Sequence, residues 1–257
     1  APSGIMDTDL LKFDEDLSLT LVHKVGIIFC GMNQTLESEM YGNDHGTPMF
    51  EEFLSLLGDK VALKNFSGYP GMLDTKNNLS GTHSVYTEFH NRQIMFHVST
   101  LLPNDTSSTQ QITKKRFIGN DIVTVIFQDE NAPPFNPKTI LSHFQHIFII
   151  VRGYKKNLYT QYKVAVFRVH DVPMFGPPIT EETYTNGQYF REFILTKIIN
   201  SENACQKSHK FMKLATRTRY QKLLDMKRFV TSAQNEKTNR FAEIFRSGSQ
   251  RSPKISY

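Results

Sequence analysis

The chain has 257 residues, enough for one large domain or two small ones with a real core. Hydrophobic residues make up 39% of it and aromatics 12%, a globular composition, and no stretch approaches the run of about 18 apolar residues that a membrane-spanning helix needs. Only two cysteines occur, Cys30 and Cys205, which excludes a disulfide framework or a Cys-based zinc site built from this sequence alone.

Residues 1–16 show neither a basic n-region nor an apolar h-region. The Asn-x-Ser/Thr triplets at Asn33, Asn65, Asn78 and Asn104 are therefore read as chance, and a cytoplasmic location is expected. The net charge of +5 is uneven: residues 205–257 hold 13 Lys and Arg against 3 acids, leaving 17 against 22 in residues 1–204. That basic end reads as a solvated helix face with a basic tail or, more sharply, as contact with an anionic membrane surface or an acidic partner. Charge confined to one end does not mark the whole chain as a nucleic-acid binder.

In chain order, "VGIIFC" (25–30) is a strand-length apolar run, and the polar stretch after it suits a surface segment with a turn or two of helix. "TPMFEEFLSLLG" (47–58) reads as a helix with Thr47 as N-cap, Pro48 at the first position and Gly58 at a left-handed C-cap. Its Phe50, Phe53, Leu54 and Leu57 form one stripe for a core. "HSVYTEFHNRQIMFHV" (83–98) reads as a hairpin turning at His90-Asn91, its second strand half-buried, with Ile94, Phe96 and Val98 alternating against Met95 and His97. "QQITKKRFIG" suits a short helix stopped by Gly119, and "DIVTVIFQ" (121–128) and "HIFIIVR" (146–152) are apolar strands separated by the proline-rich loop "DENAPPFNPKT". "YKVAVFRV" (162–169) is a further strand, followed by the Pro/Gly loop "DVPMFGPPITEET". Phe190, Phe193, Ile194 and Ile198 return to helical spacing, with a basic helix reaching about Phe229 and disorder expected from Ser232. Strands mixed with helices, one pair in a hairpin, predict an α/β domain with a mixed sheet.

Phosphate-loop, GxGxxG, HExxH and GxSxG signatures are absent. His143 and His146 lack a second ligand cluster and read as packing residues, as do His83, His90 and His97 at sevenfold spacing, so no metal site is expected. The richest junction is "KKRFIGND" (114–121). There Lys114, Lys115 and Arg116 form a basic cluster, Gly119 frees the backbone, and Asn120 stands where the strand should begin. Residue types alone favour a cap or turn, because Asn and Asp bond locally to the backbone. The rigid loops "NAPPFNP" and "VPMFGPP" would surround a site there if the strands are neighbours.

Those same residues carry a resemblance. "KKRFIGNDIVTVIFQDENAPPFNPKTILSHFQHIFIIVR", preceded by "FEEFLSLLG" and "GTHSVYTEFHNRQIMFHVSTLLP" and followed by "DVPMFGPP" and "EFILTKIINSENACQKSHKF", resembles the catalytic domain of Rap GTPase-activating proteins, the Rap/Ran-GAP domain. The similarity runs from about Gly26 to Arg228. It implies residues 17–231 as the catalytic domain, 1–16 as an N-terminal flank and 232–257 as a basic, Ser-rich, disordered tail, the whole being an excised part of a longer protein. The implied fold is a mixed central β-sheet flanked by helices, similar to a small-GTPase G domain without a phosphate loop.

The implied function is stimulation of GTP hydrolysis by a GTP-bound Ras-like small GTPase, first of all Rap, with Ral and Rheb as other candidates. Such GTPases commonly orient the attacking water with their own glutamine. Rap lacks it, and its activators are understood to insert an asparagine thumb, which the motif "IGND" places at Asn120. The domain would thus be no enzyme itself but would supply a catalytic residue in trans, with no cofactor of its own, GTP and Mg2+ being held by the GTPase. Lys114, Lys115, Arg116, Phe117 and Asp121 make up the implied partner-binding set, the lysines facing an acidic GTPase surface. The family commonly has histidine where this chain has Phe117. That exchange leaves a second reading, a GTPase- or scaffold-binding module with weakened activity, and Phe117 itself either contacts the partner or fills core.

Overall fold

The computed structural model describes residues 21–105, 110–140 and 142–248, the side chains of 214, 230 and 233–248 aside. Two units divide it. Thr20–His209 form one, and Lys210 onward belongs to the other. The expected N-terminal flank, residues 1–16, and the tail end from 249 lie outside the described residues.

The larger unit runs β1 (Val22–Cys30), α1 (Glu37–Tyr41), α2 (Pro48–Leu57), β2 (Asp59–Ala62), β3 (His83–Phe89), β4 (Arg92–Val98), α3 (Ile112–Ile118), β5 (Val123–Gln128), β6 (Ile147–Lys156), β7 (Tyr159–Arg168), β8 (Tyr184–Thr185) and α4 (Gln188–Gln206). The strands form one eight-stranded sheet in the order β2-β3-β4-β1-β5-β6-β7-β8. β1 pairs in parallel with both β4 and β5, and β5 with β6; the outer pairings are antiparallel. This is the mixed α/β sheet expected, with the short edge strands β2 and β8 added where no apolar pattern announced them.

Successive strand residues point to opposite faces, so the central strands serve two cores at once. On one face α2 and α4 pack: the Phe53 ring lies 5.2 Å from Phe127, 5.7 Å from Tyr162 and 6.5 Å from Phe190, and Tyr162 stacks on Phe190 at 4.7 Å. Such pairs contribute roughly 0.5–1.5 kcal/mol each beyond the area they bury. On the other face α1 and α3 bring Met40, Tyr41 and Ile118 onto Ile28, Ile126, Met95 and Phe148. Coverage on both faces corrects the half-buried reading of β4, in which Ile94, Met95, Phe96, His97 and Val98 are all buried.

The hairpin turns at His90 and Asn91, both with positive φ, as a two-residue loop with right-handed strand twist requires. Thr47 caps α2 through the Phe50 amide at 3.4 Å with Pro48 in its first turn. Gly58 is extended at φ −178°, not left-handed. It is glycine because a Cβ there would come within 2.4 Å of the Tyr86 carbonyl oxygen. In the second unit α5 (His209–Gly248) is helical through part of the stretch expected to be disordered. Among the described residues no helix is long and apolar enough to cross a membrane.

Candidate functional site

α3 follows β4 and delivers the chain to β5, so its C-terminus lies at the amino end of the central parallel strands. The helix closes on Gly119, whose amide bonds the Lys115 carbonyl at 2.8 Å. A tight turn then continues, Asn120 N–H to Phe117 O and Asp121 N–H to Ile118 O, each 3.1 Å. β5 begins only at Val123, so Asn120 stands in the turn and not on a strand edge. Its side chain is exposed, and Nδ2 donates to the Arg116 carbonyl at 2.7 Å, satisfying one of the helix's terminal carbonyls. The cap expected from residue types is therefore present. Among the described residues nothing else bonds this carboxamide, which leaves Oδ1 and one N–H for an outside partner.

The turn is clamped from beneath. Lys24 of β1 donates to the Asn120 carbonyl at 2.8 Å and to Asp121 Oδ1 at 2.9 Å. Asp121 Oδ2 lies 2.8 Å from His97 Nδ1, and His97 Nε2 donates to the Gly71 carbonyl at 2.7 Å. Ser142 Oγ adds a bond to the Gly119 carbonyl at 2.8 Å. The two His97 bonds are buried, those of Lys24 and Ser142 nearer the surface, and charge-assisted bonds such as the Lys24–Asp121 pair hold geometry more firmly than neutral ones. The result is an exposed amide on a backbone fixed by β1, β4 and the loop before β6.

Two of the expected partner-facing residues are placed otherwise. Asp121 is fully buried by its pairing with Lys24 and His97 and faces no outside surface. Lys114 is buried too: it shares the inner face of α3 with Ile118, four residues on, and Nζ donates to the Asn43 carbonyl at 2.6 Å. Burial pulls its pKa down from 10.5 to about 8, partly countered by the nearby Asp44. Lys115 is half-exposed and pairs with Glu37 at 2.9 Å. Arg116 is exposed, and its guanidinium has no ion-pair partner among the described residues. Phe117 is half-buried; it packs on the core beneath α3 and meets the His97 ring edge-on at 5.8 Å.

Asn120 stands between two concavities. One, of about 380 Å³, runs from Asn120 past Arg116 and Phe117 to Met72, Leu79 and Ile112. The other, of about 280 Å³, is bounded by Glu37, Lys115 and residues 142–145. Neither is lined by the proline-rich loops expected to surround the site: "NAPPFNP" follows β5 at the opposite end of the sheet, and "VPMFGPP" gives its Pro177 carbonyl to Lys197 of α4. The contributions of Lys24, His97 and the 70–79 loop were missed. A lysine interrupting an otherwise apolar central strand was the signal for the first, and a histidine on a strand buried on both faces for the second. Among the described residues no group of three or more His, Cys, Asp or Glu could hold a metal ion.

Compared with known proteins, residues 40–220 match the Rap/ran-GAP family model. Signal-induced proliferation-associated 1-like protein 3 of Mus musculus is 53% identical over 221 residues, 84% of this chain and 12% of that protein. Signal-induced proliferation-associated protein 1 of Homo sapiens is 47% identical over 220 residues, 84% of this chain and 21% of that protein. Among solved structures, that of the TSC2 GAP domain matches with a TM-score of 0.59 at 25% identity, covering 76% of this chain and 99% of that one. The chain thus spans a fifth or less, about, of the curated relatives it matches. With the family model matching more than half of its length and its fold matching that of a solved GAP domain, the chain belongs to the Rap/ran-GAP family.

Proposed function

We propose that this domain docks on a GTP-loaded Ras-like GTPase of the Rap type and accelerates hydrolysis by presenting Asn120 in trans. The observation that carries the reading is an exposed carboxamide on a turn held by Lys24, Asp121 and Ser142. Phosphoryl transfer depends mainly on positioning and electrostatics, so an uncharged amide suffices if it is rigid. Oδ1 accepts from the attacking water, and the free N–H of Nδ2 faces phosphate oxygen, while Arg116 O retains the other N–H. GTP and Mg2+ belong to the GTPase, and this chain contributes no cofactor. Arg116 and Lys115 supply positive charge at the docking face.

The domain works in the cytoplasm, and the basic α5 gives it affinity for anionic membrane surfaces. Between Lys210 and Arg228 that helix carries seven Lys and Arg against the single acid Asp225.

Single-turnover hydrolysis by GTP-loaded Rap, with and without the domain, is the test. The wild type accelerates it, and Asn120→Ala loses on the order of 10³-fold of that acceleration, by analogy with in-trans arginines. A flat response to the wild type refutes the activity, and a fully active Asn120→Ala refutes the role of the residue.

A further inference from the structure

The chain from Pro70 to Leu73 forms a tight turn closed by Leu73 N–H on the Pro70 carbonyl at 3.0 Å. Its two central residues, Gly71 and Met72, both have positive φ, at 59° and 73°. That is a two-residue turn of the type that Asn-Gly and Gly-Gly fill. Gly71 meets the requirement. Met72 does not, because its Cβ crowds its own backbone in the left-handed region, and a bulky residue there is a marked outlier. Strain of this kind is kept where the surroundings over-determine it, and it clusters at sites of function.

The surroundings here are explicit. His97 Nε2 holds the Gly71 carbonyl at 2.7 Å, while its Nδ1 lies 2.8 Å from the carboxylate of Asp121, the residue after Asn120. One buried imidazole therefore joins the strained turn to the Asn120 turn. The strain accomplishes one visible thing: it displays Met72, which is 74% exposed, at the rim of the concavity that also holds Asn120. Leu79 and Ile112, 70% and 60% exposed, lie on the same rim. A flexible, polarisable thioether suits contact with an apolar surface of irregular shape.

We propose that the Pro70–Leu73 turn is a partner-reading element. Met72 makes an apolar contact with the GTPase beside its bound nucleotide, and His97 is the positioning residue that keeps this contact in register with Asn120. The inference rests on the reading of Asn120 as the group presented to that GTPase. Met72 then sets affinity and specificity for the partner without touching the reacting atoms, whereas His97 affects both docking and rate.

The test is Met72→Gly, a substitution that fits the turn better than the native residue. Thermal unfolding of this variant stays at or above the wild-type midpoint, its kcat with GTP-loaded Rap stays within about twofold, and its KM rises roughly tenfold, as the loss of one buried apolar contact implies. Binding to Rap loaded with a non-hydrolysable GTP analogue weakens by a similar factor. His97→Gln lowers kcat as well as raising KM, and Met72→Leu, which restores apolar contact, recovers most of the affinity. Unchanged KM and unchanged binding in Met72→Gly overturn the proposal, as does a lowered kcat at wild-type KM. Wild type and Asn120→Ala in the same assay report separately on the reading beneath it: an active Asn120→Ala removes the thumb while leaving the Met72 binding result to stand or fall alone.

Discussion

His97 and Asp121 meet at 2.8 Å in the interior, with neither side chain more than 1% exposed, one residue away from an asparagine that is exposed. Asp121 also pairs with the Lys24 ammonium at 2.9 Å; a pair of this kind adds little net stability relative to an apolar replacement, but removing one partner strands the other. Asp121→Ala would leave His97 Nδ1 facing no carboxylate and the Lys24 ammonium with only the Asn120 carbonyl. A loss of about 3–5 kcal/mol in urea unfolding is expected. Asp121→Asn keeps the shape and loses less stability, yet its GTPase stimulation drops because the Asn120 turn loses the charged part of its clamp and keeps only the Lys24 and Ser142 bonds to its backbone carbonyls. Wild-type activity in both variants would show that the clamp is irrelevant to the site.

Gly119 governs the direction in which Asn120 leaves α3. Its φ is −66°, which any residue adopts, but a Cβ would come within 2.5 Å of the Lys115 carbonyl oxygen. Gly119→Ala should fold, with an unaltered far-ultraviolet spectrum, while the turn shifts to relieve the contact with the Lys115 carbonyl oxygen. Stimulated hydrolysis falls at least about tenfold, since misplacement by about 1 Å can cost 10²-fold. Full activity would mean that the turn tolerates more movement than its bonding suggests.

Arg116 and Lys115 differ in what they can offer a partner. Lys115 is already engaged by Glu37 in a partly exposed pair; fully exposed pairs contribute about 0–1 kcal/mol. Arg116→Ala should weaken docking on the GTPase more than Lys115→Ala does, raise KM, and flatten its dependence on ionic strength, with kcat little changed. Titration of KM against salt checks this. An Arg116→Ala variant with intact KM and a collapsed kcat would point instead to Arg116 acting on the nucleotide as an in-trans arginine.

Lys114 makes stability depend on alkaline pH. Its folded-state pKa of about 8 lies below the ordinary 10.5, so the unfolded chain binds the proton more tightly. Stability therefore rises as pH climbs from about 8 towards about 10.5, by at most about 1.4 kcal/mol per pH unit from this group. Lys114→Met retains the buried stem and removes the ammonium. Denaturant midpoints at pH about 8 and about 10 should converge in this variant relative to wild type. An unchanged difference would mean that another group causes the rise.

Much of the site was legible along the chain, and the exceptions have a common cause. Gly119 as a helix stop and Asn120 as an exposed boundary amide follow from local rules of capping and turn formation. Along the chain the three adjacent members of the basic cluster look like one unit, whereas a helix turns about 100° per residue. Lys114 shares its face with Ile118 and goes inward, and Arg116 turns out. The spacing of Lys114, Phe117 and Ile118 at i, i+3 and i+4 carried that information.

By itself the sequence determined the alternating strands, the His90-Asn91 hairpin, the Thr47-Pro48 start of α2 and the "IGND" junction, since each depends on neighbours within about four residues. Only the tertiary structure decided that β1 would lie between β4 and β5, bringing Lys24, 96 positions away, onto the Asn120 carbonyl and His97 onto Asp121. Parallel pairing joins strands that are far apart in the chain, and no local periodicity encodes which ones. The identity of the exposed amide was local; what holds it still is not.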